Sequence, residues 1–145
     1  MVIEERDVKD GELAGLLEAA FQELVARYGS EGRSTVHGGA RYLVASVDGR
    51  GVGCGAVQPT EDPYVGELKR MYVAPAFRGR GIATAVLSGL EELAAGEGYR
   101  AIRLATGERQ PEAIALYERR GYRSTEPYGK YINDQLAHCY QKTLA

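Results

Sequence analysis

Tryptophan is absent from this 145-residue chain, and cysteine and histidine occur only twice each. Cys54 and Cys139 are too few for the multi-bridge framework of a small secreted domain, and no CxxC or HExxH spacing offers metal ligands. No resident metal is therefore expected. Both cysteines stand in apolar, strand-like runs, which reads as buried structural thiols, with a reactive thiol as the alternative. Long apolar runs are also missing, because Gly, Glu and Arg interrupt them well short of the ~20 residues that a membrane-spanning helix needs. The start Met1-Val2-Ile3-Glu4-Glu5 lacks the basic and apolar regions of a signal peptide, so a cytoplasmic protein without membrane attachment is the expectation. There is no basic excess either: the net charge is -2, and nucleic acid is not an implied partner.

What is present is an ordinary globular composition, 44% hydrophobic and 26% charged, at a length that suits one domain spanning residues 1–145. Its charge is unevenly divided. Residues 1–66 hold 6 basic and 11 acidic residues, whereas residues 67–145 hold 12 basic and 9 acidic. An anionic ligand would prefer the second half.

Val2 to Val8 reads as a first strand, and Asp10 offers an N-cap for a helix running to about Tyr28. Leu13, Leu16, Leu17, Ala20, Phe21, Leu24 and Tyr28 form its apolar face, and Gly29 suits its end. A loop from Gly29 to Gly39 follows. Arg41 to Val47, Asp48-Gly49-Arg50-Gly51 and Val52 to Val57 read as a hairpin. Gln58 to Tyr64 is a second loop, Val65 to Val73 a strand, and Gly81 to Gly96 a helix with Ile82, Val86, Leu90 and Leu93 on one face. Ala101 to Ala105 is a short strand. Pro111 opens a helix that ends near Arg120 with Gly121 as its cap, Tyr122 returns the chain to strand, and His138 to Leu144 makes a last strand. The order β, α, ββ, βαβαβ, β predicts an α/β architecture: a mixed sheet with helices packed on it.

The segment Glu67-Leu68-Lys69-Arg70-Met71-Tyr72-Val73-Ala74-Pro75-Ala76-Phe77-Arg78-Gly79-Arg80-Gly81-Ile82-Ala83-Thr84 puts a glycine-rich turn between a strand and a helix. Glycines let backbone approach a ligand, and the first amides of the helix point outward at the positive end of its dipole. That combination suits a pyrophosphate, with Arg78 and Arg80 adding charged donors and Thr84 a hydroxyl. A P-loop is excluded because no Lys follows Gly81, and a Rossmann turn because the third glycine is missing. A turn bearing two solvated arginines is the plain alternative.

Arg78-Gly79-Arg80-Gly81-Ile82-Ala83 resembles the [RQ]xxGx[GA] motif of the GNAT superfamily of N-acetyltransferases, and Met71-Tyr72-Val73-Ala74-Pro75 resembles the strand end that precedes it. Ala113-Ile114-Ala115-Leu116-Tyr117-Glu118-Arg119-Arg120-Gly121-Tyr122 is similar to the family's AxxLYxxxGF segment. The resemblance implies a central mixed sheet flanked by helices, with two parallel strands splayed apart at an acetyl-CoA site. It also implies backbone bonds from Met71 and Val73 to the pantetheine arm, with Tyr72 between them in the cofactor site, and the turn and helix start (Arg78, Gly79, Arg80, Gly81, Ile82, Ala83, Thr84) around the pyrophosphate. Gln110 stands where the family often has Asn, and it can still donate to the cofactor.

The implied reaction is direct attack of a primary amine on the thioester. Tyr117 then matches the family tyrosine near the sulfur, a general acid, with a core aromatic as its other reading. Glu67 stands where relatives place a base, acting directly or through water, and it can equally be a surface charge or a partner of Lys69 or Arg70. Acidic and aromatic loop residues (Glu31, Glu61, Asp62, Asp134, Tyr64, Tyr128, Tyr131) suit a small cationic amine as acceptor. A protein N-terminal or lysine amine is the alternative substrate, and a non-catalytic acyl-CoA-binding or regulatory module is the alternative function. Tyr140 and Leu144 near the end of the chain allow a homodimer.

Overall fold

The residues with strand-like alternation and those with a helical apolar stripe fold into one sheet with helices on both faces. The computed structural model describes residues 1–29, 36, 38–107, 110–135 and 137–144. Among them run β1 (Val2–Arg6), α1 (Gly11–Tyr28), β2 (Arg41–Val47), β3 (Arg50–Pro59), β4 (Val65–Val73), α2 (Ile82–Gly96), β5 (Ala101–Gly107), α3 (Pro111–Arg119), β6 (Arg123–Ser124) and β7 (Ala137–Thr143). The sheet order is β1-β2-β3-β4-β5-β7-β6. Every neighbouring pair is antiparallel except β4 and β5, so the expected mixed sheet is present.

Local chemistry explains the main boundaries. The Asp10 carboxylate accepts from the Leu13 amide at 2.9 Å and starts α1, while Gly29 at φ 78° ends it. Asp48 at φ 51° and Gly49 at φ 78° make the tight turn that the Asp-Gly pair predicts between β2 and β3. β1 stops at Arg6 rather than Val8, because Asp7 turns the chain: its carbonyl accepts from Asp10 N and its carboxylate from Lys9 N. The strand expected from Tyr122 onward shrinks to the two residues of β6. Tyr122 N is engaged by the Tyr117 carbonyl at the end of α3, and Pro127 soon follows without a donor for the ladder.

Both faces of the sheet are covered, which explains the unbroken buried run in the middle of β2. Tyr42 and Val44 point toward α1, where they meet Leu13, Leu16, Cys54 and Ala56. Leu43 and Ala45 point the other way, into a larger cluster with Val86, Leu87 and Leu90 of α2 and Leu116 and Tyr117 of α3. Tyr140 is buried in that larger cluster and Leu144, partly buried, packs against it. Only the first half of the α1 stripe enters the core. Among the described residues no helix is long and apolar enough to cross a membrane. Glu31 and His37 lie outside the described residues.

Candidate functional site

The site follows from a pairing that stops early. β4 and β5 match over only three positions, Val65 with Ala101, Gly66 with Ile102 and Glu67 with Arg103, although β4 continues to Val73 and β5 to Gly107. Past that point β4 stays on β3 and β5 stays on β7, as far as Gly107 opposite Ala137. A bulge turns β4 aside. Its register against β3 shifts between Cys54 and Ala56, and Arg70 sits at φ 59°, in a left-handed conformation that few non-glycine residues adopt. Gly55 lies opposite because a Cβ there would come within 2.5 Å of Met71 Sδ.

The wedge between the strands opens into a cleft of about 880 Å³, within the range of small-molecule sites. Met71, Tyr72 and Val73 line one side, and Ala105, Thr106, Gly107, Gln110 and Tyr117 the other. Gly79 at φ 77° and Gly81 at φ 80° form the turn at its mouth, where Ile82, Ala83 and Thr84 also line it. No side chain caps α2, so the amides of its first turn have neither an intrahelical acceptor nor a capping side chain. Arg78 lines the cleft, with Nε donating to the Val73 carbonyl at 2.9 Å. Arg80 does not line it and lies over the Phe77 ring instead, 5.1 Å from the centroid. A second cavity, about 630 Å³ beside the ends of β1 and β2, is lined by Arg6 and Arg41, both ion-paired, and the α1 start near it is capped by Asp10.

The second half of α1 roofs the cleft, since Ala20, Phe21, Leu24 and Tyr28 line it. Tyr28 packs so tightly on β5 that a Cβ on Gly107 would overlap its hydroxyl. Ion pairs hold this roof at both ends. Arg78 contacts Glu23 at 2.5 Å, Glu23 lies 3.7 Å from Arg27, and Arg27 contacts Glu112 of α3 at 2.9 Å. The sequence shows only a local sign of this chain of charges, the i, i+4 spacing of Glu23 and Arg27. It carries none for the distant partners.

Tyr117 is buried and its ring packs edge-on against Tyr122, with centroids 5.7 Å apart. Burial pushes its phenol above the ordinary value near 10, so the hydroxyl keeps its proton. Among the described residues the hydroxyl makes no hydrogen bond, yet the only sealed side-chain polar atom without a partner is Arg103 Nε. The Tyr117 hydroxyl therefore opens on the cleft.

Glu67 is buried but does not line the cleft, whereas Lys69 does. Its carboxylate lies 3.0 Å from Lys69 Nζ and 3.6 Å from an Arg103 nitrogen, and it accepts from the Tyr128 hydroxyl at 3.3 Å. Lys69 also donates to the Tyr131 hydroxyl oxygen at 3.2 Å. Of the loop acids, Asp134 lines the cleft. Glu61 does not and is clasped by Arg103 through two 2.8 Å hydrogen bonds, and the Asp62 carboxylate accepts from Tyr64 N in its own turn. Cys54 donates to the Arg70 carbonyl, and burial pushes its thiol up to about 12. Burial raises Cys139 as well, which leaves both thiols protonated and structural. Among the described residues no group of three or more His, Cys, Asp or Glu side chains gathers to hold a metal.

Residues 12–122 match the model of the acetyltransferase (GNAT) family. The chain belongs to that family. This GNAT family member is 39% identical over 104 residues to the IAA acetyltransferase of Azospirillum brasilense, covering 72% of this chain and 68% of that protein. A solved structure from Klebsiella pneumoniae subsp. pneumoniae, assigned as an acyl-CoA N-acyltransferase, shares 32% identity and a TM-score of 0.83, covering 99% of this chain and 97% of that one. A GNAT family acetyltransferase from Elizabethkingia anophelis, solved with acetyl-CoA bound, shares the fold at 19% identity and a TM-score of 0.75, covering 99% and 97% of the two chains. Other curated relatives are longer, and the chain spans 40% and 48% of two of them.

The buried Glu67–Lys69 pair yields a stability prediction. Glu67→Ala removes the carboxylate beside the Lys69 ammonium, whose side chain is only 9% exposed, and should cost about 3–5 kcal/mol in denaturant unfolding. Glu67→Gln combined with Lys69→Met should recover most of that loss. A cost below about 1 kcal/mol for Glu67→Ala would show the pair to be energetically idle.

Proposed function

We propose that this chain transfers the acetyl group of acetyl-CoA to a primary amine of a small molecule, by direct attack in a ternary complex. The observation that carries the reading is the junction of two unsatisfied backbone surfaces. Beyond Glu67 the edge of β4 that faces β5 has no strand partner, and at its far end the first turn of α2 has no cap. Buried backbone groups need partners, so a ligand with amides along one stretch and phosphates at its end completes both surfaces. Acetyl-CoA has that form, and a cleft of about 880 Å³ admits its arm.

When bound, the cofactor supplies an activated thioester; the rest falls to this chain. Amides from Gly79 to Thr84 hold the pyrophosphate with Arg78, while Arg80, on the Phe77 ring, stands outside the cleft and would reach only the solvent side. Gln110, Met71, Tyr72 and Val73 line the track of the arm. The bulge at Arg70 turns the β4 backbone toward the cleft, which suits an amide there to stabilise the oxyanion.

Tyr117 offers its hydroxyl to the leaving sulfur. Its raised pKa disfavours transfer of a whole proton to the thiolate, since thiols titrate near ~8.5, so its role is to donate a hydrogen bond. Glu67 is the proposed proton acceptor, acting through water because its carboxylate stands behind the cleft wall. No cysteine is poised for a covalent acetyl-enzyme, which favours direct attack.

Two experiments test the reading. Tyr117→Phe keeps the ring against Tyr122 and removes the hydroxyl; kcat at saturating acetyl-CoA should fall by about 100-fold, the lower end for acid–base groups, with Kd for acetyl-CoA unchanged. A change in kcat within threefold would remove Tyr117 from the chemistry, and absence of thiol release with every amine would favour a binding module.

The second test uses Glu23, which holds Arg78 and places a negative charge near the phosphate turn. Glu23→Gln should tighten acetyl-CoA binding by about two- to fivefold in calorimetry, less at high salt because the pair is partly exposed. Weaker binding would mean that the Arg78–Glu23 pair organises the site instead of opposing the ligand.

A further inference from the structure

Resting on that reading, we propose that the acceptor is an amino-carboxylate, a small molecule that carries a carboxylate beside the amine it offers, and that Lys69 and Arg70 recognise the carboxylate. In a regular strand these two successive side chains would point to opposite faces. The bulge cancels that alternation, and both line the same cleft. Arg70 stays at φ 59°, a conformation a glycine would adopt without strain, so an arginine is kept there at a cost in backbone energy. Lys69 reaches the cleft from a nearly buried position, held in place by Glu67 behind it and by Tyr131 at its side.

Arg119, in the last turn of α3, also lines the cleft, and most of the other charges there pair with one another. Arg78, Glu23, Arg27 and Glu112 run along the roof as one chain of ion pairs. The acids that a purely cationic acceptor would need are mostly elsewhere, with Glu61 on Arg103 and Asp62 in its own turn. Asp134 is the acid that lines the cleft near Tyr131, and it suits the ammonium end of a zwitterion. One acid facing two cations on a bulged strand matches an amine paired with a carboxylate better than a polyamine.

The test compares three acceptors with one side chain: phenylalanine, phenylalaninamide and phenethylamine, each with saturating acetyl-CoA and thiol release as the readout. Phenylalanine should show a kcat/KM at least tenfold above both others, although the amide's amine is the most readily deprotonated of the three. Arg70→Gly, which suits the left-handed backbone, and the paired Glu67→Gln, Lys69→Met variant should each lower kcat/KM for phenylalanine by tenfold or more. In both variants the preference for phenylalanine over phenethylamine should collapse to within threefold, and acetyl-CoA affinity should hold. Binding of N-acetylphenylalanine to the CoA-loaded protein, followed by calorimetry, should weaken in parallel. Preference for phenethylamine, or a preference for phenylalanine that survives both variants, would overturn the proposal while leaving acetyl transfer standing. No turnover of any amine by a protein that binds acetyl-CoA would overturn the transfer reading and this one with it.

Discussion

The early end of the β4–β5 ladder is the constraint on which the rest of the structure depends. Parallel strands in a sheet normally stay paired, because separation leaves backbone donors and acceptors unsatisfied inside the protein. Here the two strands part after Glu67 and Arg103, each held by an antiparallel neighbour on its outer side. The bulge at Arg70 makes the parting geometrically possible, and Gly55 makes room for it. What the sheet loses in hydrogen bonds it keeps as a lined cleft whose walls are strand edges, which are stiffer and better placed than loops.

A second feature is the way charge is arranged around that cleft. Arg78 belongs to the turn at the mouth, Lys69 and Arg70 to the bulged strand, Arg27 to α1 and Arg119 to α3. Arg78 is held in place by Glu23 and the Val73 carbonyl, and Lys69 by Glu67 behind the cleft wall. Such second contacts fix long side chains that would otherwise sample many rotamers, and they reduce the entropy lost when a ligand arrives. The same network explains why Glu67 is sequestered. Its carboxylate stands beside Lys69 and Arg103 behind the cleft wall, where it positions Lys69 and reaches the cleft only through water.

Much of this was legible in the sequence, for reasons that are local. The hairpin turn is written in Asp48-Gly49, the start of α1 in Asp10, and the turn at the cleft mouth in Gly79 and Gly81, whose positive φ values only glycine adopts without strain. Tyr117 could be named because Ala113 to Tyr122 resembles the family's AxxLYxxxGF segment, and the structure puts it on the cleft. The rest depends on partners far along the chain. Phe21, Leu24 and Tyr28 read as core because periodicity cannot distinguish a core from a roofed cavity. The bulge left no mark, since Arg70 is not a residue that composition associates with a left-handed turn. The capture of Glu61 by Arg103 needs β5 beside the loop before β4, which charge counting cannot see.

The central claim is that the parted strands and the uncapped start of α2 form one binding surface for acetyl-CoA. Amide hydrogen exchange with and without saturating acetyl-CoA reads that surface directly, because only backbone groups gaining a partner slow down. The account predicts protection concentrated in Met71 to Val73 and Gly79 to Thr84, with β1 and β2 unchanged. Protection confined to the cavity by β1 and β2, or no change in either segment at ligand concentrations that saturate binding, would contradict it.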